Sequence, residues 1–221
     1  MAFAVLFDMD GVIVDSNPHH KLAFQAFLKK YNRSLTDDEL KTHVYGRTNQ
    51  EGMPYIFGRT LAAAELAELA DEKEALFREL YRADIRPVVG LVPFLQALKG
   101  RRVPMAVGTS APSANLDFVL DALNIRSYFD ALLDSTFVSR GKPDPEIYRK
   151  AAAELGMPPS QCVVIEDSLA GVQAGLNAGA KVVGITTTHT AEELANTHLV
   201  IQNFEGLTVD RLEALWQLPS K

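Results

Sequence analysis

The chain has 221 residues, 47% hydrophobic and 23% charged, the balance of an ordinary globular protein with room for one large domain or a domain plus a smaller insert. Its 22 Lys and Arg against 28 Asp and Glu leave a formal charge of −6, which offers no electrostatic footprint for nucleic acid and no basic patch for acidic lipid. No apolar run approaches the ~20 residues of a membrane span, and the lone cysteine, Cys162, rules out an internal disulfide framework. The opening MAFAVLFDMDG lacks the basic start of a secretory signal, so a cytoplasmic protein is expected.

The apolar run AFAVLF at residues 2–7 predicts a first strand buried on both faces. From about residue 18 to residue 81 no strand pattern occurs. Helical patterns fill the stretch, at residues 20–31 and 61–81, the second rich in the strong helix formers Ala, Leu, Glu and Lys. Strand patterns then resume at residues 103–107, 131–133, 162–165, 181–185 and 199–201, with helices at 116–123, 145–155 and 169–178 between them. Asp144 as cap and Pro145 at the first helical position would open the second of these helices. Gly171, Gly175 and Gly179 suit close packing of the third on the sheet, with Gly179 ending it, and Trp216 in LEALWQL suits the apolar anchor of a C-terminal helix. The expected fold is α/β: a doubly wound, Rossmann-like parallel sheet made of residues 1–15 and 84–221, with a helical domain of residues 16–83 inserted after the first strand.

Asp8 and Asp10 stand two apart at the end of the first strand and share one of its faces. Thr109-Ser110 and Glu166-Asp167 close two further strands, and Lys142 precedes another strand-to-helix connection. Each alone reads blandly, as a turn cap or a solvated charge. Together they meet at the carboxyl edge of the expected sheet, where open α/β sheets bind ligands. Carboxylates crowded there call for a hard divalent ion, Mg²⁺ above all, and the hydroxyl and ammonium suit a phosphoryl group.

The string FDMDGVIVDS (residues 7–16), Thr109, Lys142 in GKPDPEIY, and VVIEDS (residues 163–168) resemble, in order and spacing, the motifs of the haloacid dehalogenase superfamily over nearly the whole chain. The resemblance implies that Asp8 attacks phosphorus to form an aspartyl-phosphate and that Asp10 acts as acid and base. It implies Mg²⁺ held by Asp8, the Asp10 carbonyl, Asp167 and Glu166, with Thr109, Ser110 and Lys142 around the phosphoryl group. The helical insert is similar to the small cap of the β-phosphoglucomutase-like subfamily, which closes over the substrate and selects it. By that likeness His20, Arg47 in YGRTN, Lys73 and Asn115 would face the substrate.

One departure bears on the reaction. After Thr109 the mutases resemble Ser-Ala-Ser-Lys-Asn, whereas this chain reads Thr-Ser-Ala-Pro-Ser-Ala-Asn and has no counterpart of the lysine that grips the second phosphate. A phosphatase of small phosphorylated metabolites such as sugar phosphates is therefore expected, with β-phosphoglucomutase chemistry as the alternative and pyrophosphatase chemistry third. A non-catalytic phospho-receiver fits less well, because receivers place the phosphorylated Asp and the acidic pair on different strands. The expected partner is a small phosphorylated metabolite, with no nucleic acid and no membrane, and the expected state is a monomer or weak dimer.

Overall fold

The computed structural model describes residues 3–44 and 47–218. Its strands are β1 (Ala4–Phe7), β2 (Met105–Gly108), β3 (Ala131–Leu133), β4 (Cys162–Glu166), β5 (Lys181–Ile185) and β6 (Leu199–Ile201). They form one sheet in the order β3-β2-β1-β4-β5-β6, every neighbouring pair parallel. This is the α/β doubly wound arrangement that the sequence predicts. β1 lies at its centre, with Val5 opposite Met105 on one side and Val163 on the other.

Burial on both faces explains why these runs show no polar alternation. Ala4 and Leu6 point into a core shared with Val164, Val182, Ile147 and Tyr148. Phe7 points the opposite way, its ring 6.5 Å from Phe94, 5.7 Å from Phe129 and 6.3 Å from Phe204, as the two-residue period of a strand requires.

The helices among the described residues are α1 (Asn17–Lys30), α2 (Asp37–His43), α3 (Asn49–Phe57), α4 (Ala63–Tyr81), α5 (Leu91–Gly100), α6 (Ser113–Ala122), α7 (Glu146–Glu154), α8 (Leu169–Ala178) and α9 (Val209–Gln217). α7 starts one residue later than the sequence suggests: Pro145, with ψ near 1°, takes the capping position, while Asp144 Oδ1 still accepts the Glu146 N–H at 3.0 Å. α8 is capped by the Ser168 hydroxyl and stopped by Gly179 at φ 88°. α5, unremarked in the sequence, carries Pro93 in its first turn, where a missing N–H costs nothing. In α9 the buried positions are Val209, Leu212 and Leu215. Trp216 sits at their edge, stacked 6.1 Å from Phe3 and donating Nε1–H to the Ser160 carbonyl at 3.3 Å.

Contacts divide the chain into two units, one of Met1–Asp15 with Arg86–Lys221 and one of Ser16–Ile85. The second unit has a core of its own, built from Phe24, Phe27, Leu40, Met53, Ile56 and Leu69 on α1 to α4. No helix among the described residues is long and apolar enough to cross a membrane.

Candidate active site

Asp8 is the first residue beyond β1, Thr109 the first beyond β2, and Glu166-Asp167 straddles the end of β4. The sheet changes direction of winding at β1 and β4, the place where such sheets hold ligands. Carboxylate oxygens of Asp8, Glu166 and Asp167, all buried, lie within 4.8 Å of one another. Lys142, 4% exposed, places Nζ 2.7 Å from Glu166 Oε1 and 2.9 Å from Asp8 Oδ1. The Glu166 contact is a hydrogen bond. The Asp8 contact is an ion pair whose angle leaves Oδ1 without one.

Three buried carboxylates beside one ammonium leave the site short of positive charge. Burial, offset in part by Lys142 and reinforced by Glu166 and Asp10, raises the Asp8 carboxyl to about 7. Burial, then Glu166 and Asp8, also hold the Asp167 carboxyl well above its usual range, against the pull of Thr188 and Lys142. For Lys142 burial works the other way, and the two acids outweigh it, so its ammonium is held more firmly than usual.

Glu166 belongs to the acidic set by distance, yet both of its oxygens are already engaged. Oε1 accepts from Lys142 Nζ and Tyr148 Oη, each at 2.7 Å. Oε2 accepts from the backbone N–H of Asp167 and of Ser168 and from the Ser168 hydroxyl, at 3.0, 3.1 and 3.0 Å. A Cβ on Gly171 would land on this carboxylate, so the glycine is there for Glu166. Gly175 alone of the pair meets the sheet, against Val164 and Val182.

The turn after β1 is formed by Gly11 at φ 77°, whose N–H reaches the Val14 carbonyl at 2.7 Å. A Cβ there would fall on the Asp167 carboxylate. The loop after β5 holds the same turn: Thr187 Oγ1 donates to the Gly11 carbonyl and Thr188 Oγ1 to Asp167 Oδ2. Asp10, half-buried, pairs with Val14. Thr109 is 1% exposed and its Oγ1 accepts the Ala111 N–H at 3.0 Å, which leaves the hydroxyl hydrogen to donate. Ser110 is half-buried beside it, and Asn115, on α6, is wholly buried.

In the second unit, His20 Nδ1 is 3.0 Å from Lys73 Nζ. Arg47 is exposed and donates from Nε to the Thr42 carbonyl at 3.2 Å. Residues 45 and 46 of the YGRTN string lie outside the described residues. The other histidines have partners of their own: His19 Nε2 lies 3.1 Å from Asp84 Oδ2, His43 stacks 4.0 Å from Tyr55, His189 lies 3.2 Å from Glu193, and His198 Nδ1 accepts the Val182 N–H at 3.1 Å. Burial pushes the Cys162 thiol up to about 12, which suits a core residue and not a nucleophile.

Tyr148, Thr187 and Thr188 were not singled out by the sequence, and Gly171 was read as packing on the sheet, whereas it lies against the Glu166 carboxylate. Tyr148 stands in the same GKPDPEIY string as Lys142, so its nearness carried a signal. The two threonines carried none, because only the folding of β5 beside β4 brings them to Asp167.

The donor set fits a hard divalent cation: all-oxygen, buried, deficient in positive charge, and with Asp8 Oδ1 lacking a hydrogen bond.

A sequence profile of haloacid dehalogenase-like hydrolases matches residues 4–179. The chain is 33% identical over 198 residues to the validoxylamine A 7'-phosphate phosphatase of Streptomyces hygroscopicus subsp. limoneus, covering 90% of this chain and 92% of that one. It is 31% identical over 223 residues to the β-phosphoglucomutase of Bacillus subtilis, covering 97% and 95%. Among solved structures, a HAD hydrolase of family IA, variant 3, from Entamoeba histolytica superposes with a TM-score of 0.88 at 30% identity, over 98% of this chain and 100% of that one.

Proposed function

The chain belongs to the haloacid dehalogenase-like hydrolase family, and from that premise we propose that it is a Mg²⁺-dependent phosphatase of small phosphorylated sugars. Asp8 is the nucleophile: its carboxylate attacks phosphorus, and the sugar oxygen leaves as an aspartyl-phosphate forms. Asp10 gives that oxygen a proton and later takes one from the water that hydrolyses the intermediate. The Thr109 hydroxyl, Ser110 beside it and the Lys142 ammonium hold the phosphoryl oxygens, where charge-assisted bonds are strongest. Asp8, Asp167 and the Asp10 carbonyl would hold Mg²⁺, which supplies neutralising charge at the phosphoryl group. Glu166, its oxygens taken by five donors, keeps Lys142 in place. The Ser16–Ile85 unit, with His20, Arg47 and Lys73, serves as the substrate-selecting cap.

The observation that carries this reading is the buried cluster of Asp8, Glu166 and Asp167 closed by one ammonium, a site built for a cation and a phosphoryl anion together. Hydrolysis rather than isomerisation is favoured by the segment from Thr109 to Asn115, which contains no lysine. A bisphosphate gripped at both ends needs a second cation there. The β-phosphoglucomutase likeness across 97% of the chain supports mutase chemistry as the second reading.

Purified protein with Mg²⁺, β-glucose 1-phosphate and a trace of glucose 1,6-bisphosphate separates the two when glucose 6-phosphate and free phosphate are followed together. Free phosphate without isomer is the expected result. Fast glucose 6-phosphate with little free phosphate establishes the mutase instead.

A further inference from the structure

One buried acid of the second unit has no part in the chemistry assigned above. Glu74 lies on α4 beside Lys73, and the two are 4% and 2% exposed. Its Oε1 accepts from Lys73 Nζ at 2.8 Å and from Asn49 Nδ2 at 3.0 Å. Burial by itself would push the Glu74 carboxyl up; the Lys73 ammonium foremost, with these two hydrogen bonds, overcomes it and brings it down to about 2. The Lys73 ammonium is in turn 3.0 Å from His20 Nδ1 and 4.2 Å from the Phe24 ring centre.

An ammonium has three donors and no acceptor. His20 Nδ1 must therefore accept, and the ring proton sits on Nε2. The ring's plane is fixed as well, because it lies flat on Phe77 at 3.7 Å with 4° between the planes. Asn49 is the first residue of α3, two positions beyond Arg47. One carboxylate oxygen thus links the entry to α3, the Lys73 ammonium and the tautomer of His20.

We propose that Glu74 is a positioning residue: by holding Lys73 and Asn49 on one oxygen it sets His20 in its Nε2–H form, as a hydrogen-bond donor to an oxygen of the phosphorylated substrate. The proposal rests on the reading of His20 and Lys73 as substrate-facing residues. A carboxylate that served packing alone would leave the tautomer of His20 indifferent to its replacement.

The test uses the whole protein labelled with nitrogen-15 histidine, with the His20 resonances assigned by their loss in His20→Gln. In the wild type, Nδ1 should appear as an unprotonated ring nitrogen and Nε2 as a protonated one. In Glu74→Gln both should move toward averaged positions, and kcat/KM for β-glucose 1-phosphate should fall roughly tenfold, the scale of a lost hydrogen bond to a charged group. Unchanged His20 nitrogen shifts in a folded Glu74→Gln protein overturn the proposal, as does an undiminished kcat/KM. Should that variant not fold, Asn49→Ala, which removes one donor from the same oxygen, is read in the same way: a partial shift supports the proposal and an unchanged spectrum overturns it. A wild-type protein that hydrolyses no phosphorylated sugar sinks the phosphatase reading alone, since the tautomer comparison needs no turnover.

Discussion

At Asp8 the chain concentrates its demands on a single carboxylate, which as the proposed nucleophile must be ionised to attack and yet is buried among like charges. Asp8→Asn keeps the volume and removes the attacking oxygen. Turnover should fall by at least about a thousandfold, with an unchanged circular dichroism spectrum; substantial residual activity would assign the nucleophile elsewhere. The same residue makes a signed statement about pH. In metal-free protein the Asp8 carboxyl is raised from 3.8 to about 7, so between those values the folded chain holds a proton that the unfolded chain has released. Its stabilising contribution is full below the lower value and is lost as pH rises through the upper one. The melting temperature of the wild type should therefore fall relative to Asp8→Asn as pH rises from 4 to 7, and a difference independent of pH would contradict this. Gly171→Ala tests the support behind Lys142: its Cβ would land on the Glu166 carboxylate. It should destabilise by about 1–3 kcal/mol, as overpacking does, and lower kcat beyond what the melting shift explains.

The central strands of the first unit were legible because they are apolar on both faces and punctuated by turn residues, whereas α5 carried no such signal. β3, β5 and β6 have the bounds that their apolar runs suggest. α2 and α3 were harder to see, being only 7 and 9 residues long, too short for helical periodicity to rise above chance. What starts them is a pair of capping boxes, Thr36 with Glu39 and Thr48 with Glu51, a four-residue signal that a search for apolar stripes passes over. Thr36→Ala removes one such box and should cost about 1 kcal/mol in urea unfolding; a neutral result would mean that α2 is held by Leu40 and Val44 alone. Between these two helices lies Arg47, exposed and donating to the Thr42 carbonyl. Arg47→Ala should raise KM several-fold for substrates with a second anionic group and less for simple monophosphates, and equal effects on both would show that it reads no such group. The acidic site was legible for a different reason: its residues stand at strand ends, so predicting the strands aligned them. Thr188 escaped because no local pattern marks a hydroxyl that becomes important only through contact with Asp167.

For the whole molecule, a cation that binds the folded chain and not the unfolded one stabilises it by mass action. Mg²⁺ at a hundred times its dissociation constant should add about 2.7 kcal/mol, or roughly 5–10 °C of melting temperature for a chain of this size. Chelation should reverse the gain and Asp167→Asn should abolish it; an equal gain in that variant would place the ion elsewhere. The sheet order carries a consequence of another kind. β1 is made first, but its neighbours are β2 and β4, and Ala4 pairs with Cys162. At roughly 5–20 residues per second of synthesis, the central strand waits many seconds with both edges bare while the contiguous Ser16–Ile85 unit, which has its own core, can already fold. Until Asp167 leaves the ribosome the carboxylates of Asp8, Glu166 and Asp167 cannot meet, and the outer edge of β4 stays bare until β5 follows, so the acids can gather before the sheet that carries them is complete.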